Sequence, residues 1–107
     1  MNFDESYEVK CEKKFDQWVR KNLPKNLKSV LDKKLEYFSE NPGHPSLNTK
    51  PYHVSEKTKK QLGVDDVYEF YVNRKQYRCL VYVIHSSKEL IIAHIGTHDQ
   101  LRNFSKG

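Results

Sequence analysis

The sequence predicts an α+β fold, with two N-terminal helices packed on one face of a small antiparallel sheet. The expected order is β-α-α-β-β-β with a short C-terminal helix. Three observations carry this expectation. Apolar residues recur at helical spacing from Phe15 to Phe38. From Val67 onward the pattern changes to strand-length runs of aromatic and β-branched residues, broken by short polar turns. A short alternating segment precedes the first helix.

Each element follows from local chemistry. Ser6-Tyr7-Glu8-Val9-Lys10-Cys11 alternates with period two and reads as a short, half-buried strand. Phe15, Trp18, Val19 and Leu23 share one helix face. Pro24 ends that helix, because proline disfavours helical geometry in the residue before it. A second helix is predicted over about Lys25 to Glu40, with the stripe Leu27, Val30, Leu31, Leu35 and Phe38. Asn41-Pro42-Gly43-His44-Pro45 breaks it. Residues 46–66 are the least regular, apart from one or two helical turns over Ser55 to Leu62, capped by Ser55 and stopped by Gly63. Val67–Asn73 and Tyr77–Ile84 read as strands joined by a tight turn at Asn73-Arg74-Lys75-Gln76. His85-Ser86-Ser87-Lys88 turns into a third strand, Glu89–Gly96. Gly96-Thr97-His98-Asp99 leaves the sheet, and Gln100–Ser105 forms the terminal helix.

Composition narrows the function classes. A chain of 107 residues fits one domain, spanning 1–107. At this size folding hides roughly 65% of the unfolded surface, enough for a core without disulfides or metal. Seven Tyr, five Phe and one Trp argue against disorder, despite 31% charged residues. No apolar run approaches the ~18 residues of a membrane span. Met1-Asn2-Phe3-Asp4-Glu5 does not resemble a signal peptide, so a cytoplasmic location is expected. The net charge is +5, and residues 67–107 carry six basic against three acidic side chains and three of the five histidines. A basic surface suits a polyanion such as RNA, and it equally serves simple solubility. Cys11 and Cys79 lie far apart without metal-ligand spacing and are expected to be free, buried thiols.

The strand register decides which face is free for chemistry. Pairing Val72 with Tyr77, Tyr71 with Arg78 and Phe70 with Cys79 gathers Tyr68, Phe70, Val72, Tyr77, Cys79, Val81 and Val83 on one apolar face for the helices. The other face carries Glu69, Tyr71, Arg78, Leu80 and Tyr82, and the helices leave it uncovered. A one-residue slip would push Arg78 and Glu69 beneath the helices, at a cost of several kcal/mol unless they pair.

These residues resemble a known family. The element order, the segment Asn41-Pro42-Gly43-His44-Pro45-Ser46-Leu47, the pair Val67-Tyr68-Glu69-Phe70-Tyr71-Val72-Asn73 and Tyr77-Arg78-Cys79-Leu80-Val81-Tyr82, and the ending Ile95-Gly96-Thr97-His98-Asp99 are similar to the RelE/ParE toxin superfamily. The likeness covers about residues 6–104 and rests on the order of short motifs. The Gly-Thr-His ending looks closest to the RelE-like and HigB-like RNase branches. ParE-like gyrase poisons usually lack a histidine there.

The resemblance implies a toxin of a type II toxin–antitoxin system that cuts mRNA in the ribosome. The 2′-hydroxyl attacks its own scissile phosphate, leaving a 2′,3′-cyclic phosphate and a 5′-hydroxyl, and no metal or other cofactor is required. Expected partners are the cognate antitoxin, the ribosome and mRNA. Operator DNA is reached only through the antitoxin, and no membrane is involved. By position, Arg78 matches the family's phosphate-binding arginine, whose fork suits a phosphate gaining charge. A surface arginine paired with Glu69 is the alternative. His98 matches the RNase-branch histidine, and imidazole's ordinary pKa of ~6.5 suits acid or base work. A histidine closing the last strand is its alternative.

Weaker candidates follow. Asp99 would orient His98 or meet the antitoxin. Lys50 and His53 fall in the irregular loop where the family places basic phosphate contacts. Glu69 would accept a proton, or simply balance charge as an exposed strand residue. Tyr71 and Tyr82 would stack on a base, or are ordinary tyrosines of a free sheet face, and Arg74 in the hairpin would touch ribosomal RNA or simply be exposed. His44 is expected to be structural, His85 solvated, and His94 a strand residue with a satisfied ring. One departure matters: many members carry arginine at the position of Tyr71. That disfavours a two-arginine site and favours Arg78, His98 and a loop Lys or His. Two other readings remain, a non-catalytic gyrase poison and a degenerate, non-toxic partner of an antitoxin.

Overall fold

A computed structural model describes residues 6–73 and 76–105, with 103–105 described by backbone alone. Among the described residues, four helices pack around a five-stranded sheet. The elements run β1 (Glu8–Cys11), α1 (Lys13–Asn22), α2 (Lys25–Glu40), β2 (Lys50–Pro51), α3 (Glu56–Leu62), β3 (Asp66–Asn73), β4 (Tyr77–Ile84), β5 (Glu89–Thr97) and α4 (His98–Ser105), with a 3-10 turn at Pro45–Leu47. The sheet order is β1-β5-β4-β3-β2. The fold class is α+β, as the sequence predicts.

The sheet departs from expectation in two ways. It is mixed: β1 pairs with β5 in parallel, Val9 beside Leu90 and Cys11 beside Ile92. The parallel partner is distant in sequence, and no local period reveals it. The sheet also gains β2, which pairs Lys50 with Glu69 and Pro51 with Tyr68. Two residues ending in proline are too short to show a strand pattern.

α1 and α2 pack on one face. Phe15, Leu23, Leu31 and Phe38 meet Phe70, Val72, Cys79, Val81, Val83, Leu90, Ile92 and Ile95 in one core. Phe38 stacks on Phe70 with centroids 4.9 Å apart. Full burial of one such side chain contributes about 1.5–3 kcal/mol. The expected pairs Tyr71–Arg78 and Phe70–Cys79 form, but Tyr77 pairs with Asn73. Val72 is therefore the extra residue of a bulge, and it stays buried on the helix side. Arg74 and Lys75, the centre of the hairpin turn, lie outside the described residues.

The opposite face is not bare. A second, smaller core joins Val54, Val67, Leu80, Tyr82, Ala93 and Leu101 beneath the 52–64 segment and α4. Leu80 and Tyr82 already advertised it as apolar residues on the supposedly open face. Ser55 Oγ accepts from the Thr58 backbone N–H at 3.1 Å and caps α3. Gly63, at φ 71°, ends it in a left-handed turn that glycine adopts freely.

Cys79 is buried and its thiol is pushed up by burial, whereas Cys11 is exposed, because β1 is an edge strand with little above it. His44 stacks on Tyr37 at 4.3 Å and accepts from Ser46, a structural role. His94 Nε2 lies 2.8 Å from the Tyr82 hydroxyl, a satisfied strand histidine. His85 is not merely solvated. Its Nδ1 is 2.7 Å from the Tyr7 hydroxyl and its Nε2 is 3.5 Å from Asp66. Among the described residues no helix is long and apolar enough to cross a membrane.

Candidate active site

The side chains that could act on a phosphate meet where β2, β3, β4 and α4 adjoin. A cleft of about 290 Å³ is lined there by Lys50, Pro51, Tyr52, His53, Glu69, Arg78, His98 and Arg102. Its floor is the β3–β4 pair. One wall is the chain from Lys50 to His53, and the other is α4.

Arg78 is held from below. Its Nη1 donates to Glu69 Oε1 at 3.1 Å, with 13% of the Arg78 side chain and 4% of the Glu69 side chain exposed. Glu69 is thus buried and paired, not the exposed strand carboxylate expected from alternation. The covering α4 and the 50–53 wall remove its water, and Arg78 offsets the desolvation. Among the described residues, Arg78 Nε is buried with no hydrogen-bond partner. An unmet buried donor costs about 1–3 kcal/mol.

Tyr71 and Lys50 complete the cluster. The Lys50 ammonium donates to the Tyr71 hydroxyl at 3.0 Å and lies 3.8 Å from Glu69 Oε1. The Tyr71 ring has the Arg78 guanidinium 4.9 Å and the Lys50 ammonium 5.3 Å from its centroid, both within cation–π range. Tyr71 is 9% exposed, so its face is committed to these cations and not open to a base. The bond to Tyr71 raises Lys50 above the usual lysine range, with a smaller contribution from Glu69, while desolvation and Arg78 oppose it. Lys50 therefore stays protonated near neutral pH and serves as a cation, not a base.

His98 reaches the rim through a capping box. The Thr97 N–H donates to Gln100 Oε1 at 2.8 Å, and the Gln100 N–H donates to Thr97 Oγ1 at 3.3 Å. This reciprocal pair starts α4 directly after β5 and places His98 in the first turn. The helix is anchored by Leu101, 6% exposed, and by the Tyr52 hydroxyl, which donates to the Leu101 carbonyl at 2.8 Å. His98 and Arg102 are four residues apart and so share the helix face that borders the cleft.

Of the residues singled out from sequence, Lys50, His53, Glu69, Arg78 and His98 line this cleft, and Tyr71 braces two of them. Tyr82 does not join them. It is 7% exposed and bonded to His94, and it lines a separate hollow with Glu12 and Lys14. Burial in the second core removes the open face that stacking would need. Asp99 is exposed on α4 and is not part of the cleft lining. Arg74 lies outside the described residues. Arg102 and Tyr52 were not anticipated. Helical spacing from His98 would have found Arg102, whereas no local signal marks Tyr52.

No family model matches the chain, and no curated protein does. Solved structures do. The chain is similar to the archaeal RelE in the RelE–RelB complex from Pyrococcus horikoshii OT3, at 17% identity and TM-score 0.62, covering 85% of this chain and 93% of that one. It is similar to YafQ from Escherichia coli strain BL21(DE3), at 14% identity and TM-score 0.61, covering 89% and 97%. It is also similar to a mutant of Escherichia coli toxin RelE in complex with an antitoxin RelB peptide, at 18% identity and TM-score 0.55, covering 92% of each chain. The fold is that of the RelE and YafQ toxins.

Proposed function

We propose that this chain, built on the RelE-toxin fold, is a single toxin domain (1–107) of a type II toxin–antitoxin system that cuts translated mRNA in the cytoplasm. One observation carries the reading: Arg78 and His98, from different elements, line the same cleft. Arg78, Lys50 and Arg102 border this cleft with positive charge, and two imidazoles, His53 and His98, line it.

The reaction needs positioning, charge stabilisation and two proton movements. The substrate's 2′-oxygen forms a bond to phosphorus and gives up its proton. The bond from phosphorus to the 5′-oxygen breaks, and that oxygen takes a proton. The products are a 2′,3′-cyclic phosphate and a 5′-hydroxyl. Arg78 and Lys50 bind the phosphate as its charge grows. His98 transfers a proton, and His53 is the second imidazole in the cleft. Glu69, paired with Arg78 at 3.1 Å, acts by fixing the guanidinium and not as the proton acceptor. Lys50 supplies the second cation that an arginine in place of Tyr71 would bring.

A small antitoxin is the proposed inhibitor, as RelB accompanies RelE in two of the similar structures. It would also carry any contact with operator DNA.

Induction in a bacterial host tests this. The parent chain should arrest growth, with translation stopping before DNA supercoiling changes. His98→Ala and Arg78→Ala should each relieve the arrest while the protein stays folded. Undiminished arrest by both variants refutes the nuclease reading, and an early loss of supercoiling would indicate a gyrase poison instead.

A further inference from the structure

A second hollow, of about 300 Å³, adjoins the cleft across the sheet edge at β2. The two share Pro51, Tyr52 and His53 as a common wall. Their charge differs. The cleft brings Lys50, Arg78 and Arg102 around one buried carboxylate. The hollow instead holds a balanced pair, Lys59 and Asp66, at 3.6 Å. It is bordered by three flat rings, Tyr52, His53 and Tyr68.

We infer that this hollow is a nucleobase subsite, which receives the base of the nucleotide next to the scissile phosphate in single-stranded RNA. The inference rests on the proposed nuclease reading and deepens it. A cation-rich cleft suits the phosphodiester, and a neutral, ring-lined hollow suits a base, since stacking is indifferent to charge. Volume agrees, because small-molecule pockets begin at roughly 300 Å³. Continuity agrees as well: a strand with its phosphate beside Arg78 need only cross the Pro51–His53 wall to seat its neighbouring base. The Asp66 carboxylate accepts hydrogen bonds and donates none; adenine offers it an exocyclic amine on an edge free of carbonyls, whereas uracil's one donor there, N3–H, lies between two carbonyl oxygens that repel a carboxylate, so adenine is favoured over uracil.

Tyr52 is fixed for this task. Its hydroxyl is bonded to the Leu101 carbonyl at 2.8 Å, so its ring is held between the two hollows. The 52–53 segment then both walls the cleft and bounds the subsite.

The test uses the full chain and a trinucleotide made uncleavable by a 2′-deoxy sugar at the scissile position, with an adenine, a uracil or an abasic sugar at the flanking position. Binding is measured by fluorescence anisotropy for the parent, Tyr68→Leu, Asp66→Asn and Arg78→Ala. Tyr68→Leu keeps an apolar side chain against the helix-side core. The adenine should improve parental binding by roughly 5- to 150-fold over the abasic sugar. Tyr68→Leu should lose most of that gain, and Asp66→Asn should lower the preference for adenine over uracil. Equal binding of the adenine and abasic trinucleotides, with both weakened by Arg78→Ala, overturns the subsite and leaves the cleft standing. Binding that ignores Arg78→Ala, or no binding at all, overturns both.

Discussion

Gly96 of β5 lies directly opposite Arg78 of β4 in the sheet register. The chain therefore leaves the sheet beside the guanidinium, and the Thr97–Gln100 capping box starts α4 there. A Cβ at Gly96 would sit 2.9 Å from Gln100 Oε1 and 3.2 Å from Gln100 Cβ. Glycine is what lets α4 begin so close to the strand, and so brings His98 to the cleft that Arg78 floors.

Gly96→Ala should displace Gln100 and break the capping box. The expected loss is about 1 kcal/mol, read from urea unfolding. Activity should fall further than stability, because small displacements of a catalytic group cost large factors in rate. A variant that loses stability but cleaves at the parental rate would show that α4 position does not matter.

Glu69→Ala removes the partner of a largely buried guanidinium. Breaking such a pair costs about 3 kcal/mol, and a slightly smaller loss is expected here because Arg78 keeps some solvent contact. The double change Glu69→Leu with Arg78→Met should recover much of that stability while abolishing activity. Urea midpoints of the two variants, compared with the parent, check this.

Tyr71→Phe keeps the ring beneath Arg78 but removes the acceptor for Lys50. Since that hydrogen bond is the main cause of the raised Lys50 pKa, the Lys50 titration should move downward, followed by NMR of its ε-methylene. RNA binding should weaken by about 2- to 12-fold, the worth of one hydrogen bond.

His94 predicts a pH effect with a definite sign. Burial lowers its pKa below 6.5, so the folded protein resists taking a proton that the unfolded chain accepts. Stability is therefore full above about pH 7 and declines as pH falls through the unfolded value of ~6.5, until the folded value is reached. His94→Gln should flatten that part of the profile, read from urea midpoints at pH 7.5 and 5.5. An unchanged profile would mean that other groups set the acid sensitivity.

Much of the molecule was legible in its sequence, for physical reasons. Helical spacing placed α2 at Lys25–Glu40 and the Ser55 and Gly63 signals bounded α3, as observed. The pairing of Tyr71 with Arg78 followed from the need to put Phe70, Cys79 and Val81 on one apolar face. Long-range relations were not legible. The parallel partner of β1 lies some eighty residues away, and β2 has two residues. The candidate site was half visible: the family resemblance, position by position, singled out Arg78, His98, Lys50 and His53, but alternation along β3 could not say that Glu69 would be buried. Tyr71 misled most. Read as a missing charge, it is the ring and hydroxyl on which two cations are held.

The central claim is that Arg78 and His98 act on one phosphodiester, and single-turnover cleavage of mRNA on programmed ribosomes tests it most directly. Parent, Arg78→Ala, His98→Ala and the double variant are compared, each confirmed folded by circular dichroism. The account predicts 2′,3′-cyclic phosphate ends from the parent, a loss of about 10²- to 10⁴-fold for His98→Ala, a comparable loss for Arg78→Ala, and a double variant little worse than the poorer single one. Cleavage by both single variants at the parental rate would contradict it.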